Sequence, residues 1–345
     1  MQSLTLINPS FPNAVGAQVK PAGASPLVSQ SLTLQPAQIQ SYSLSVQRQL
    51  ANNWVLSVAG AGNIARHLSA NLNYNQPLPN GSYDYNPIIN SGTVFPYVYG
   101  PYQGYGAITT RTSEGVGYWD ALEASLTHRA GNNLYLSAAY TWQHDLADVD
   151  GTGIFGGSAV VQNSYNMSRN YGNSLLNTPQ VFSLSAIWTL PGLHSASTIE
   201  QLILGGWQYS DITTVQSGSS LDPGLSVADQ GLATRPNVTG LPIKGPKKVA
   251  EWFNTAAFSA PAAGYFGNAS VGSILGPGTI DFDMALYKTF HITQQHSIQF
   301  RGELFNIFNH TNFATVSTNF GSGTYGQVIS AADPRIAEFS LQYQF

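Results

Sequence analysis

Cysteine is absent from the 345-residue sequence, and charged residues make up only 9% of it. The absence of cysteine excludes a disulfide framework, thiol catalysis and cysteine-ligated metals. Soluble proteins usually carry roughly 25% charged residues, which keep their surfaces hydrated. Long apolar runs are also missing: mean hydropathy is −0.07, and no run approaches the roughly 18 residues of a membrane-spanning helix. The composition therefore fits neither an ordinary soluble protein nor a helical membrane protein.

Aromatic residues, by contrast, are plentiful, with 18 Tyr, 16 Phe and 6 Trp. Together with many β-branched residues, they argue against a disordered chain. The net charge of −4 argues against nucleic acid as a partner. A transmembrane β-barrel accounts for the whole composition, because its strands alternate a lipid-facing apolar side chain with an uncharged polar one. We therefore predict an all-β, antiparallel transmembrane barrel portion in the cell outer membrane, in contact with outer-membrane lipid.

Nine segments of the chain alternate apolar and polar residues with the period of a β-strand. Residues 1–38, which are rich in Pro, Ser and Gln, are predicted to form a lead-in loop. Residues 39–345 are predicted to form the barrel portion, with about nine or ten strands. The nine predicted strands are 41–50, 54–68, 118–129, 133–143, 181–190, 204–216, 282–292, 297–308 and 336–345.

The connections between these strands alternate in length. Shorter connections follow the first, third, fifth and seventh strands, and long ones follow the second, fourth, sixth and eighth. Bacterial barrels have short periplasmic turns and longer extracellular loops. The pattern predicts extracellular long loops and a periplasmic chain end.

Tryptophans lie mostly near predicted strand ends, as the aromatic girdles of barrels require. The predicted girdle consists of Trp54, Trp188 and Trp207 on the periplasmic side, and of Trp119 and Trp142 on the extracellular side. An alternative is that tryptophan occurs at strand ends of any β-sandwich. Two positions fit poorly: Trp119 has the opposite parity from Leu122, and Asp211 shares the lipid-facing parity of Trp207. A β-bulge at Asp211 would reverse its direction.

Motifs for chemistry are few, and we predict no enzyme, no catalytic residues and no cofactor. Neither a G-x-S-x-G turn nor a Walker-type loop is present. Interior parity places Glu123, Arg129, Arg301 and Glu303 in a structural or channel-lining network. Weak candidates for a Ca²⁺ site are Asp145, Asp148 and Asp150, whose carboxylates suit a hard cation, although an acidic loop is more often simply solvated. The Tyr- and Asn-rich loops 74–105 and 145–178 suit either carbohydrate binding or an ordinary surface.

The last ten residues carry the sharpest local signal. Phe339, Leu341, Tyr343 and Phe345 share one face of the final strand. This pattern resembles the C-terminal assembly signal of outer-membrane proteins. Strand addition to an open edge of the barrel-assembly machinery would read it through backbone hydrogen bonds and alternate side chains. The alternative is an ordinary final strand that ends in phenylalanine.

Several segments also resemble the C-terminal barrel of Oar-like TonB-dependent transporters. The resemblance covers most of 39–345 and is strongest in 205–345, where segment order and spacing both match. It rests on SYSLSVQRQL (41–50), GGWQYSDITTVQSG (205–218), RPN (235–237), WFNTAAFSAP (252–261), DMALYKTF (283–290), QFRGELFNIFNHTNF (299–313) and DPRIAEFSLQYQF (333–345).

The resemblance implies a longer architecture than this sequence shows. Members of that family carry an N-terminal carboxypeptidase-regulatory-like domain, a plug and a barrel of about 22 strands. Neither a plug, a TonB-box segment nor a secretory signal is recognisable before residue 39, and nine is an odd number of strands. We therefore expect a fragment of a receptor whose plug and TonB system lie elsewhere. The alternatives are a secreted aromatic-rich β adhesin or carbohydrate-binding module, or a gene fragment without function.

Overall fold

A computed structural model describes residues 27–50, 53–76, 101–102, 107–131, 133–149, 161–191, 198–226, 234–262 and 265–345. One seven-residue helix, α1 (Thr198–Leu204), and two 3₁₀ turns, Met167–Asn170 and Thr255–Ala257, occur among them. None of the described helices is long and apolar enough to cross a membrane. The strands are β1 Leu27–Gln30, β2 Gln38–Gln49, β3 Trp54–Asn73, β4 Ile108–Ala130, β5 Leu134–Ala147, β6 Gly172–Asn173, β7 Gln180–Thr189, β8 Trp207–Gln216, β9 Ser220–Leu221, β10 Gly224–Leu225, β11 Asn237–Val238, β12 Lys244–Lys248, β13 Glu251–Phe253, β14 Phe258–Ser259, β15 Ile274–Leu275, β16 Thr279–His291, β17 Ser297–Phe305, β18 Phe313–Val316, β19 Asn319–Phe320, β20 Val328–Ala331 and β21 Ile336–Gln344.

Nine of these strands form one antiparallel sheet, in the order β2-β3-β4-β5-β7-β8-β16-β17-β21. They correspond one to one with the nine predicted strands, so the predicted all-β antiparallel fold is confirmed. The lead-in differs from its prediction as a loop, because β1 lies within it and pairs parallel with β4. This pairing is available because β3 and β4 extend well beyond their predicted bounds, to Asn73 and Ile108.

Local sequence explains the tight connections. Gly131 between β4 and β5 has a φ of +55°, a left-handed value that glycine adopts without steric cost. Asn53, before β3, has a φ of +64°, and asparagine is among the residues that best tolerate it. The backbone amide of Arg129 donates to the Asn53 carbonyl at 3.4 Å, which ties the two neighbouring turns together.

The sheet has two unlike ends, which confirms the predicted alternation. The connections 50–53, 131–133, 190–206 and 292–296 form the short-turn end, and 74–107, 148–179, 217–278 and 306–335 form the long-loop end. The third short-end connection holds α1.

Both edge strands of the sheet, β2 and β21, are exposed along their whole described length. Both run from the long-loop end toward the short-turn end. Neighbouring strands alternate in direction, and the seven strands between β2 and β21 are an odd number, so the two edge strands have the same direction. Joining β21 directly to β2 would therefore create a parallel pair in a sheet whose neighbouring long strands are all antiparallel. An antiparallel closure requires an odd number of additional strands.

The long-loop end carries a packed structure of its own, which we call the loop layer and define as the described residues of 217–278 and 306–335. Five two-stranded pairs build it: β9 with β15, β10 with β19, β11 with β14, β12 with β13 and β18 with β20. Their apolar residues form a core of Trp252, Phe253, Ala257, Phe258, Ala269, Ile274 and Val316. Trp252 belongs to this core, and its indole Nε1 donates to the Leu275 carbonyl at 2.8 Å.

Candidate functional site

Strand register assigns every side chain of the nine-stranded sheet to one of two faces. The face that carries Leu126, Ala138 and Leu184 as one cross-strand row is called here the apolar face. The polar face carries the neighbouring row Ser125, Ala139 and Ser183. Many large apolar-face side chains are exposed, and no second sheet covers them in the described part of the chain. A sandwich core is therefore not formed, and the apolar surface is available to lipid.

Four of the five predicted girdle tryptophans lie on the apolar face near strand ends. Trp54, Trp188 and Trp207 are at the short-turn end, and Trp142 is toward the long-loop end. Trp54 stacks on His128 across the strand pair with ring centroids 4.2 Å apart. The girdle assignment is wrong for Trp119, which lies on the polar face. There its indole Nε1 donates to Gln143 Oε1 at 2.9 Å, so a side chain of the polar face satisfies the indole N–H.

Asp211 lies on the apolar face, and the predicted bulge around it is not formed. The register of β8 with both of its neighbours is unbroken. The carboxylate is instead shielded: the residue is only 5% exposed, and it accepts hydrogen bonds from Thr213 Oγ1 at 3.1 Å and Tyr209 OH at 3.4 Å. Local hydroxyl donors on the same strand thus replace the register change in compensating a polar group on a lipid-facing surface.

Lys288 is a second charged residue on the apolar face, and sequence patterning missed its role. The side chain is 4% exposed and reaches toward the short-turn end, where Nζ donates to the carbonyls of Ile203 at 3.0 Å and Gly205. These are carbonyls at the C-terminal end of α1, which lack intrahelical partners and favour a cation. The aromatic ring of Trp207 also faces the ammonium at 5.3 Å. Lys288 therefore anchors the third short-end connection to the sheet.

The predicted interior network is partly assembled on the polar face. Arg301 forms an ion pair with Glu303 and lies over the Tyr287 ring at 5.0 Å. Arg129 lies separately over the Tyr135 ring at 5.4 Å. Glu123 shares this face but pairs in register with Ala59 and Thr141 rather than with a cation. The arrangement is suited to lining a wet interior, where charge is hydrated and rings shield the long stems.

The predicted Ca²⁺ candidates are only partly described. Asp148 Oδ1 accepts a hydrogen bond from the Val116 amide at 2.7 Å, and burial raises the pKa of this carboxyl above its usual range. Asp145 lies at the end of β5 and its carboxylate is hydrogen-bonded to Ser174. Asp150 lies outside the described residues, among which no group of three acidic, His or Cys side chains is placed to hold a metal. The calcium site stays a prediction.

Amide side chains of the long loops form a buried network that binds the loops to one another. Gln162 is its centre: Oε1 accepts from the amides of Thr234 at 3.1 Å and Arg235 at 2.9 Å, and Nε2 donates to the Gly267 carbonyl at 2.8 Å. Gln76 belongs to it as well, with Nε2 donating to the Gln162 carbonyl at 2.6 Å. Amides that are engaged in this way are not available to a sugar. The predicted carbohydrate-binding role is left to the exposed tyrosines Tyr74, Tyr102, Tyr165 and Tyr171.

Arg235, in the RPN segment, ties the loop 148–179 to the loop layer. Its guanidinium donates to Asn170 Oδ1 from Nη1 and Nη2, both at 3.3 Å, and to the Arg169 carbonyl at 2.9 Å. Burial lowers the pKa of Arg235, while Asp222 acts in the opposite direction. Nothing in the strand pattern signals this role, although the RPN segment is one of those that carry the family resemblance.

We predict that Gln162→Leu loosens the loops without disturbing the sheet. The change leaves the backbone amides of the buried Arg235 and the exposed Thr234 without this acceptor, and the unsatisfied buried amide costs about 1–3 kcal/mol. Trypsin should then cleave after the exposed Arg169 at least about fivefold faster than in the wild type, as measured by gel electrophoresis of intact outer membranes. The matched control is Gln294→Leu, in the exposed short-end turn 292–296. Equal cleavage rates in the two variants would contradict the role of Gln162.

The two-faced sheet with unlike ends defines a class: a transmembrane β-barrel wall segment. A profile of the outer membrane beta barrel domain family matches residues 2–341, and the chain belongs to that family. This membership establishes its location as the cell outer membrane. No curated protein matches the chain.

One solved structure supports the fold at low sequence identity, and two others match more weakly. The chain is similar to the outer membrane transporter YddB from Escherichia coli, at 9% identity and a TM-score of 0.51, over 91% of this chain and 33% of that one. It also matches a chain of the FpvAI–pyocin S2 complex, at 13% identity, TM-score 0.39 and coverages of 90% and 28%. The copper transporter OprC matches at 9% identity and a TM-score of 0.39, over 90% of this chain and 32% of that one. The chain thus spans about a third of the length of these proteins.

Proposed function

We propose that this chain forms the C-terminal part of the barrel of a TonB-dependent transporter. In this role it supplies nine wall strands, the extracellular loop layer and the C-terminal assembly signal, and it performs no catalysis of its own. The observation that supports the proposal most is the nine-stranded antiparallel sheet with one uncovered apolar face and one polar face. A soluble adhesin would have to cover the apolar rows, whereas lipid covers them here.

The open edges support the role as part of a larger barrel. Unpaired backbone groups along β2 and β21 are costly in lipid, so each edge needs a partner strand. Because the two edges run in the same direction, the remaining strands must be odd in number. A transporter barrel of about 22 strands leaves 13 after these nine, which satisfies this requirement. The partners of the chain would be those strands, the plug they surround, the TonB system and the barrel-assembly machinery.

The proposed orientation places the long-loop end outside the cell, and single-cysteine labelling tests it. The natural chain holds no cysteine, so each introduced thiol is the only one. Leu241→Cys, in the loop layer, should react on intact cells with a membrane-impermeant maleimide. Gln295→Cys, in the turn 292–296, should react only after the outer membrane is permeabilised. Both side chains are exposed, so burial does not explain a difference.

The opposite labelling pattern would invert the orientation. Equal labelling of both thiols without permeabilisation, on protein recovered from the medium, would favour the secreted module instead. Detergent extraction and heat-modifiable gel migration of the assembled protein test the barrel independently.

The DNA immediately upstream tests the transporter assignment itself. We expect an in-frame plug and a secretory signal there, or in an adjacent gene made together with this one. A barrel without any encoded plug would contradict energy-coupled transport and would leave only the wall function.

A further inference from the structure

A cleft of about 490 Å³ lies where the loop layer overhangs the apolar face of the sheet. We propose that it holds a phosphate-bearing lipid of the outer leaflet. An acyl chain of this lipid would lie against the apolar face of the sheet, and its phosphate would lie beside the ammonium of Lys247. The inference rests on the proposed orientation, which places the long-loop end at the outer leaflet.

The floor of the cleft is a continuous apolar row across four neighbouring strands. Tyr140 pairs in register with Phe182, Phe182 with Val215, and Val215 with Ile280. All four residues line the cleft and belong to the apolar face. Because lipid covers this face below the cleft, an acyl chain can enter from the side without leaving hydrocarbon. A water-soluble ligand would have no such path, and it would have to displace lipid from the row.

The roof of the cleft comes from the loop layer and carries positive charge. Trp252, Leu275, Lys247 and His310 line it, and none of the described lining residues is acidic. Three of the five lysines in the sequence lie within the short strand β12, namely Lys244, Lys247 and Lys248. None of them forms an ion pair with another described residue. Glu251, the carboxylate nearest in register to Lys248, accepts hydrogen bonds from Thr255 instead.

Backbone geometry holds Lys247 in the roof. Its φ is +55°, a left-handed value that is uncommon for lysine, and the register of β12 with β13 shifts around it. The ammonium lies 6.0 Å from the centre of the Trp252 ring. A strained position of this kind persists only where surrounding structure enforces it, and such positions cluster at binding sites. The apolar floor suits an acyl chain that enters from the side, and the cationic roof suits a phosphate. Together they match an amphiphile that carries phosphate.

Lipid A binding to the assembled protein, extracted from the producing cell's outer membrane, tests this assignment. The variant is Lys247→Asn with Lys248→Gln, because asparagine tolerates the left-handed backbone and the change therefore removes charge without adding strain. Native mass spectrometry with diphosphorylated lipid A should show binding weakened by about tenfold relative to the wild type. The matched control Arg48→Gln removes a cation from the other end of the apolar face and should bind as the wild type does. The variant Lys247→Arg, which keeps the positive charge, should retain binding.

Each outcome decides between occupants. Equal binding by the double variant and the control, or no binding by the wild type, overturns the proposal. Binding of inorganic phosphate alone, or binding of a dephosphorylated lipid as strongly as diphosphorylated lipid A, overturns the amphiphile and leaves a free anion or an unspecific acyl chain. A cysteine-labelling pattern opposite to the expected one would instead reject the proposed orientation. If labelling is as expected but no lipid A binds, only the lipid inference is rejected and the proposed function stands.

Discussion

Ala138→Arg should nearly abolish assembly of the barrel in the outer membrane, whereas Ala139→Arg, one residue later, should be tolerated. Ala138 lies in the middle of β5 on the apolar face, between Leu126 and Leu184. An arginine facing hydrocarbon near the bilayer centre costs about 2–4 kcal/mol. Ala139 faces Ser125 and Ser183 instead, and Glu123 on the same face is close enough to pair with the new cation. The measurement is the yield of heat-modifiable protein in the outer-membrane fraction.

These two variants make a stringent pair because residue type, strand and depth are the same. Both alanines are half-buried, so neither change is simply more crowded than the other. Similar yields would mean that the two faces meet the same surroundings. The assignment of the apolar face to lipid would then fail, and the proposed function with it.

Removal of Phe345 should lower the outer-membrane yield of the complete receptor far more than Ser340→Ala does. Phe345 is 91% exposed at the end of the sheet, and β21 pairs on one side only, with β17. Its face also carries Phe339, Leu341 and Tyr343, all exposed. An unpaired edge with an apolar row on one face is what strand addition recognises. Ser340 lies on the same strand but on the polar face, so its truncation removes no apolar contact.

Equal yields for these two variants would indicate that β21 is only an ordinary final strand. A change at Tyr343 separates loss of local packing from loss of recognition by the assembly machinery. The Tyr343 OH lies 2.7 Å from His296 Nδ1, and the Tyr343 ring stacks on the imidazole. Tyr343→Phe removes the hydroxyl while keeping the ring. A large effect of this change would assign the signal to local packing at the short-turn end.

Alternation of side chains explains why so much of the sheet was predictable. In a strand, successive residues point to opposite faces because of the local backbone geometry, and this requires no knowledge of partners. All nine long strands, their faces and the unequal ends follow from it. Even the anomalous parity of Trp119 was visible in the sequence, although its consequence, an indole bonded to Gln143 on the polar face, was not.

Polar residues on the apolar face required the structure. A carboxylate at Asp211 suggested a bulge, but hydrogen bonds from Thr213 and Tyr209 compensate it in an unbroken register. Lys288 also lies on the apolar face, and its ammonium donates to carbonyls that lie more than 80 positions earlier in the sequence. Neither partner set is visible in a local pattern, because hydrogen-bond geometry depends on how strands and turns meet.

The sequence by itself determined the strands, the two faces and the outer-membrane class, since scarce charge and a period of two are local properties of the chain. Only the tertiary structure decided the loop layer, in which Gln162 contacts Gly267 across 105 positions, and the cleft that this layer forms over the apolar row. Contacts at such separations depend on loop closure and on packing between elements, and residue periodicity carries no information about either.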